Sequence, residues 1–260
     1  MGIGLSTSCF YPLETEKALE LAAGVGAKVC EVFFNSMSEI ESPFLGRLLA
    51  IKENFGLDIP AVHPFFSFAE PYLIFSEYER RFHDSLDFYD RYFEAANILG
   101  AKILVIHGAR AHSNLPNEFF YERFALLAQR GQAAGIKVAQ ENVVSYLSGS
   151  PDYLLGLNEY MKGQLNLVLD LKQAVRAGHS AFEFIEKLGH NIIHTHLSDH
   201  YEHEDCSLPG SGVFDFAAFF KAMQALSYQG HHIIELYRHS FKGNNDLAAA
   251  LEFLKGQSKI

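Results

Sequence analysis

Four residues with metal-binding side chains stand at the ends of four successive β-rich segments in the second half of the chain. They are three carboxylates and one imidazole: Glu141, Asp170, His196 and Glu235. In a parallel barrel the carboxyl ends of all strands converge on one face, so these side chains would meet there. Together they could hold a divalent ion, and the two glutamates could also transfer protons.

Strand periodicity places the three carboxylates on the face that points into such a barrel. Side chains alternate between the two faces of a strand, and each carboxylate stands two residues after an apolar residue, namely Ala139, Val168 or Ile233. A charged group in that place is costly unless it is ion-paired or bound to a metal. Buried ion pairs could explain one such residue, whereas three of them beside a histidine favour a metal site.

The ligand types restrict the choice of ion. Oxygen-rich donors with one nitrogen suit Mn²⁺, Mg²⁺, Co²⁺ or Zn²⁺, and no set of thiolates selects zinc. We therefore expect one divalent ion as cofactor. Four protein ligands would leave coordination positions for substrate oxygens.

Eight β-rich segments alternate with segments of helical periodicity along the whole chain. The predicted strands are 3–8, 28–34, 59–63, 102–107, 137–141, 165–170, 191–197 and 231–237. Eight strand–helix units predict an α/β fold, a single (β/α)8 TIM barrel that forms one domain over residues 1–260. An open doubly wound sheet is the alternative, but the segment after the first strand, residues 6–12, lacks a GxGxxG fingerprint.

Composition narrows the classes of partner. The net charge of −10 disfavours nucleic acid, because the chain repels phosphate at long range. The chain shows no secretory signal and no apolar run of the roughly 20 residues that span a bilayer. Three cysteines without a CxxC indicate a reducing compartment. We expect a cytoplasmic protein that does not bind membranes.

The order of these motifs resembles the xylose-isomerase-like barrel superfamily, which includes sugar and sugar-phosphate isomerases and epimerases, inosose dehydratase and the endonuclease IV type of nuclease. The resemblance covers essentially the whole chain. It depends on these segments: Ala61-Val-His-Pro64, Val105-Ile-His-Gly108, Gln140-Glu-Asn142, Leu169-Asp170, His196-Leu-Ser-Asp199, Pro209-Gly-Ser-Gly212 and Ile234-Glu235.

The resemblance implies that Glu141, Asp170, His196 and Glu235 are the metal ligands. It also implies that Glu141 and Glu235 are catalytic: one removes a proton beside a carbonyl and the other returns a proton to the enediolate that forms. The substrate would be a sugar, a sugar phosphate or a polyol.

Four further residues are candidates for substrate binding. In sugar-metabolising members of the family, histidines at the positions of His63 and His107 can bind substrate hydroxyls. In the nuclease branch these two, with Glu141, would instead hold a second metal. Gln173 replaces a histidine that some epimerases use on the substrate. Arg238 lies just past the last strand, where it could meet a phosphate or carboxylate.

Two departures weaken the nuclease alternative. The nuclease pattern has a histidine three residues after the strand-six Asp, where this chain has Gln173. It also has an Asp-x-His after strand seven, where this chain has Asp205-Cys-Ser207. Ligands for a third metal are therefore largely missing.

The two longest connections, 64–77 and 198–213, follow predicted strands three and seven. The first is rich in aromatic residues, which predicts either a wall over the site or a contact in a homo-oligomer. The second carries Asp199, His200, His203 and Asp205, and we expect it to be a solvated loop over the barrel mouth.

Our leading hypothesis is a metal-dependent sugar or sugar-phosphate isomerase or epimerase. The alternatives are a lyase that dehydrates an inositol-derived ketone, an abasic-site nuclease, and a non-catalytic barrel with a structural or sensory metal.

Overall fold

The structure, a computed structural model that describes residues 2–259, is a closed barrel of eight parallel strands. The strands follow one another around the barrel in chain order, and the last pairs with the first. This confirms the single (β/α)8 TIM barrel. The strands are β1 (Ile3–Ser6), β2 (Cys30–Phe33), β3 (Ala61–His63), β4 (Ile103–Ile106), β5 (Lys137–Glu141), β6 (Leu167–Asp170), β7 (Ile192–Leu197) and β8 (His231–Ile234).

Helices surround the barrel and cover its outer face. Two of them, Leu171–Arg176 and Ala181–Leu188, lie between β6 and β7. No helix of the described part of the chain is long and apolar enough to cross a bilayer. The helices are α1 (Thr15–Gly24), α2 (Ser42–Phe55), α3 (Glu79–Leu99), α4 (Asn117–Ala133), α5 (Pro151–Tyr160), α6 (Leu171–Arg176), α7 (Ala181–Leu188), α8 (Phe216–Ala225) and α9 (Asn244–Gln257).

The observed strands are mostly shorter than the predicted ones. The predicted strand 137–141 has the same bounds as the observed β5. The strands predicted over 231–237 and 102–107 end earlier in the structure, at Ile234 and Ile106. Glu235 and His107 therefore lie one residue past their strands. The side chains at the barrel mouth therefore come from strand ends and from the first residues of the loops.

The hydrophobic core has two parts. The larger part fills the space between strands and helices, and a separate small cluster consists of Ala61, Ile103, Val105, Ala139 and Val168. Its members come from β3, β4, β5 and β6 and include the residues two positions before Glu141 and Asp170. The expected alternation therefore holds on these strands: an apolar layer fills this side of the barrel below the carboxylates.

The connection after β7 differs from the solvated loop that the sequence suggested. Residues Asp199–Tyr201 and Glu204–Ser207 form an antiparallel hairpin whose tip is exposed. The carboxylate of Asp199 is buried and accepts backbone N–H bonds from His200, Gly210, Gly212 and Phe214 at 2.9 to 3.0 Å. Asp199 thus fixes the Pro209–Gly212 turn, whose N–H groups are not free to bind a ligand.

The connection after β3 is tied to β4 by a buried carboxylate. Glu70 accepts hydrogen bonds from the backbone N–H groups of His107 and Gly108 at 2.8 and 2.6 Å, and from the hydroxyl of Tyr89 at 3.3 Å. Among the aromatic residues of this connection, Phe66 and Phe75 are buried while Phe68 and Tyr72 are exposed. The connection is therefore anchored to the core and keeps an exposed aromatic edge.

Substitution Glu70→Gln should flatten the pH dependence of stability. Burial raises the pKa of Glu70 from 4.5 to about 7, so the folded state retains a proton that the unfolded state has lost. The contribution of Glu70 to the free energy of unfolding should therefore fall as pH rises from 4.5 through about 7, by roughly 3 kcal/mol. Gln cannot ionise, so the variant should lose less stability over this range. Urea denaturation at several pH values measures this, and parallel curves for both proteins would contradict it.

Candidate metal centre and active site

Strand register brings the four predicted ligands to one place. Asp170 on β6 is paired with His196 on β7, and His196 is paired in turn with Ile233 on β8, two residues before Glu235. Glu141 ends β5, the neighbour of β6 on the other side. Two strand ends, the next-to-last residue of β7 and the residue after β8 thus meet at the carboxyl end of the barrel.

The imidazole of His196 lies at the centre of this group. Its Nδ1 is 3.2 Å from Oε1 of Glu141, 3.5 Å from Oε2 of Glu235 and 3.7 Å from Oδ2 of Asp170. One donor atom from each of the four residues lies within 4.8 Å of all the others. Three carboxylate oxygens and one imidazole nitrogen in this arrangement fit a single hard or borderline divalent ion. We call these four residues the ligand quartet.

The second carboxylate oxygen of Glu141 faces two other histidines. Its Oε2 is 3.1 Å from Nε2 of His107 and 3.6 Å from Nε2 of His63, and this trio also has the spacing of metal ligands. Burial opposes ionisation of Glu141, but hydrogen bonds from His107, His196 and His63 outweigh it and hold its pKa well below the ordinary value. Glu141 is therefore an anion with one oxygen facing His196 and the other facing His63 and His107.

Asp170 uses its two oxygens for different purposes. Oδ1 accepts the backbone N–H of Gln173 at 2.9 Å and so caps the start of α6, while Oδ2 faces His196. The side chain of Asn142 bonds both the N–H and the carbonyl of Asp170, at 2.7 and 3.0 Å. These contacts hold the backbone and Oδ1 of Asp170 in place, and Oδ2 faces the other members of the quartet.

Glu235 has the most accessible carboxylate of the quartet, with 14% of its side chain exposed. Its Oε1 lies 3.4 Å from the hydroxyl of Ser8, and its Oε2 faces His196. Burial opposes ionisation here too, but the charges of Lys172 and His196 outweigh it and lower the pKa of Glu235. Oε2 therefore faces the other members of the quartet, while Oε1 lies toward Ser8.

Sequence reasoning missed Lys172, whose ammonium lies among the quartet. Its Nζ is 2.7 Å from Oδ2 of Asp170 and 2.9 Å from Oε2 of Glu235, and the side chain is 5% exposed. Burial would lower the pKa of Lys172, but Asp170, Glu235 and Glu141 raise it well above the ordinary value. The signal was present in the sequence: a lysine two residues after a predicted ligand, at the first turn of a helix.

Glu31 and His194 were also missed: Glu31 contacts His196 from inside the barrel, and His194 contacts Glu31. Oε2 of Glu31 is 3.1 Å from Nε2 of His196 and 3.1 Å from Nε2 of His194. Both side chains are fully buried, and Oε1 of Glu31 and Nδ1 of His194 lack hydrogen-bond partners among the described residues. The sequence did carry a signal for Glu31, because it is a carboxylate inside the otherwise apolar segment Cys30-Glu-Val-Phe33. Glu31 orients His196 so that Nδ1 faces the three carboxylates.

Of the four predicted substrate-binding residues, two contact Glu141 of the quartet and two have other partners. His63 and His107 touch Glu141, as described above. Gln173 accepts the backbone N–H of Val144 at 3.3 Å through its side-chain oxygen. Arg238 is exposed, donates to the carbonyl of Phe241 at 3.0 Å and stacks on its ring. A role for these four residues in substrate binding stays a prediction.

Substitution Glu31→Gln should destabilise the protein by roughly 3 kcal/mol, because it removes the buried anion that faces His194 and His196. Urea denaturation measures the change in the free energy of unfolding. Glu53→Gln, at an exposed position of α2, is the matched control and should be within roughly 0.5 kcal/mol of the parent. A Glu31→Gln variant as stable as this control would contradict the role given to Glu31.

Comparisons with known proteins agree with this architecture. The chain is similar to an uncharacterised protein of Mycobacterium leprae (strain TN), with 22% identity over 97% of this chain and 96% of the relative. Among solved structures it is similar to a D-tagatose 3-epimerase-like protein (TM-score 0.82, 20% identity, 100% and 97% of the two chains). It is also similar to a D-psicose 3-epimerase crystallised with D-fructose (TM-score 0.83, 14% identity, 99% of both chains).

At these identities the solved structures show the fold alone. The family evidence is direct, because the family described as xylose isomerase-like TIM barrel matches residues 19–257. That match spans almost the whole barrel and includes every member of the ligand quartet. The chain therefore belongs to the xylose isomerase-like TIM barrel family.

Proposed function

We propose that this protein is a divalent-metal-dependent isomerase or epimerase of a sugar or sugar phosphate. The observation that carries the proposal is the meeting of Glu141 and Glu235 on one imidazole, with Asp170 completing a set of donors for one ion. Both glutamates then stand beside the same substrate position. Proton removal and proton return around a carbonyl need two such groups.

Glu235 is the better placed general base. Its Oε1 has one contact at 3.4 Å, with Ser8, and the side chain is partly exposed at the barrel mouth. A carboxylate oxygen in that position can take a proton from a carbon next to a substrate carbonyl. An ion held by the quartet would supply positive charge to the oxygens of the resulting enediolate.

Glu141 is suited to the second proton transfer through its contact with His107. Nε2 of His107 lies 3.1 Å from Oε2 of Glu141, and the His107 side chain is 21% exposed. His107 therefore links the buried carboxylate of Glu141 to the solvent-accessible side of the site through one contact. His63, which is buried and stacks on Phe33 at 4.5 Å, can hold Glu141 in place from the other side.

The names of the similar structures support this class of reaction. A D-tagatose 3-epimerase-like protein and a D-psicose 3-epimerase are named for inversion at a sugar carbon. Such inversion next to a carbonyl requires loss and return of one proton, which is the chemistry argued above for Glu141 and Glu235. We extend this class of substrate to the present chain as part of the proposal.

Nuclease activity is disfavoured by the residues that would hold further metals. Asp205, the acidic residue after β7 that stands near a nuclease ligand position, binds the guanidinium of Arg176 through both oxygens, at 2.5 and 2.8 Å. Gln173 stands where the nuclease pattern has a histidine and has no imidazole to offer. A lyase that begins with the same proton abstraction and then expels a hydroxyl remains the alternative.

Variants Glu235→Gln and Glu141→Gln should each lower the rate of proton exchange at the substrate by at least about 100-fold, because Gln cannot accept a proton. The assay incubates a panel of ketoses and ketose phosphates with the protein and Mn²⁺ in D₂O, then measures products by mass spectrometry and NMR. Isomerisation or epimerisation adds a deuteron at the carbon next to the carbonyl, whereas dehydration removes a water.

Glu204→Gln, at an exposed position of the hairpin near the mouth, is the matched control and should exchange at the parent rate. Calorimetry of Mn²⁺ binding separates loss of a base from loss of a ligand. Full exchange in either glutamate variant would contradict the proton transfer assigned to that residue.

A further inference from the structure

The ammonium of Lys172 contacts two of the carboxylate oxygens that an ion held by the ligand quartet would use. Its Nζ bonds Oδ2 of Asp170 at 2.7 Å and Oε2 of Glu235 at 2.9 Å. These are the same two oxygens that face Nδ1 of His196, at 3.7 and 3.5 Å. The ammonium and the donor nitrogen therefore approach one pair of oxygens.

The position of Lys172 is not explained by the needs of its helix. Lys172 is the second residue of α6, where the partial positive charge of a helix N-terminus disfavours a cation. Burial of the ammonium is a further cost. The two carboxylates offset both costs, so this lysine is held by the ligand quartet and not by local secondary structure.

A second group of residues forms a place beside the quartet for the same ammonium. The ring of Tyr237 lies 5.6 Å from Nζ of Lys172. Arg176 fixes this ring, since it stacks on it at 5.1 Å, bonds its hydroxyl at 2.6 Å and is itself held by Asp205. The aromatic face offers the ammonium a cation–π contact without a change in the backbone.

We propose that Lys172 is an internal counter-cation, which binds Asp170 and Glu235 when no metal is bound and competes with a divalent ion for their oxygens. The inference depends on the metal site of the proposed function. It has two consequences. Without metal, the lysine keeps the two carboxylates close together. It also weakens metal binding, because two cations that contact the same oxygens repel each other.

The test is calorimetric titration of Mn²⁺ into chelator-treated protein. Lys172→Met removes the charge and keeps an unbranched side chain, so the dissociation constant for Mn²⁺ should fall at least about tenfold. Lys187→Met is the matched control: Lys187 also bonds two carboxylates, Asp152 and Glu183, at 2.7 and 3.1 Å, but 33% of its side chain is exposed. The Lys187→Met variant should bind Mn²⁺ with the affinity of the parent protein.

Thermal denaturation gives a second readout. Without metal, Lys172→Met should melt at a lower temperature than Lys187→Met, and Mn²⁺ should raise its melting temperature more than that of the parent. If Lys172→Met folds only with Mn²⁺ present, that dependence supports the inference. Lys172→Arg keeps the charge and should not bind Mn²⁺ more tightly than the parent; equal tightening in both variants would show that packing, not charge, is responsible.

The outcomes separate this inference from the proposed function. If the parent and Lys172→Met bind Mn²⁺ equally, or the variant binds it more weakly, Lys172 does not compete with the ion, although the proposed metal site itself is supported. If no variant binds a divalent ion, the metal site is wrong and the competition is overturned with it.

Discussion

The repulsion among three carboxylates at the barrel mouth is the constraint around which this site is organised. Glu141, Asp170 and Glu235 each approach Nδ1 of His196 within 3.7 Å, in surroundings with little water. Without cations, such a cluster would open the barrel end. Lys172 and the proposed divalent ion can each offset part of that charge, so folding and the proposed chemistry depend on the same electrostatics.

The barrel supplies the rigidity that this arrangement needs. Register fixes Asp170 opposite His196, Asn142 holds the backbone of Asp170, and Glu31 holds His196 from inside the barrel. Glu70 joins the connection after β3 to the N–H groups beside His107. Asp170 and His196 are therefore each oriented by a buried polar partner, which limits the movement that these two side chains need in order to bind an ion.

The sequence predicted those residues of the candidate site that stand at strand ends. Glu141 and Asp170 end strands, and their alternation with apolar residues could be read directly. Glu31 could not be assigned a partner, because β2 and β7 are not neighbours in the barrel and its contact with His194 spans 163 residues across the interior. The role of Asp199 was hidden for a different reason: its partners are backbone N–H groups, and a sequence pattern does not show which side chain such groups bind.

Anomalous X-ray diffraction from crystals of chelator-treated protein reloaded with Mn²⁺ tests the central claim most directly. The account predicts one strong peak per chain, bounded by the carboxylates of Glu141, Asp170 and Glu235 and by Nδ1 of His196. A peak among Glu31, His194 and His196 instead, or no peak beside an unchanged Lys172 ion pair, would contradict it.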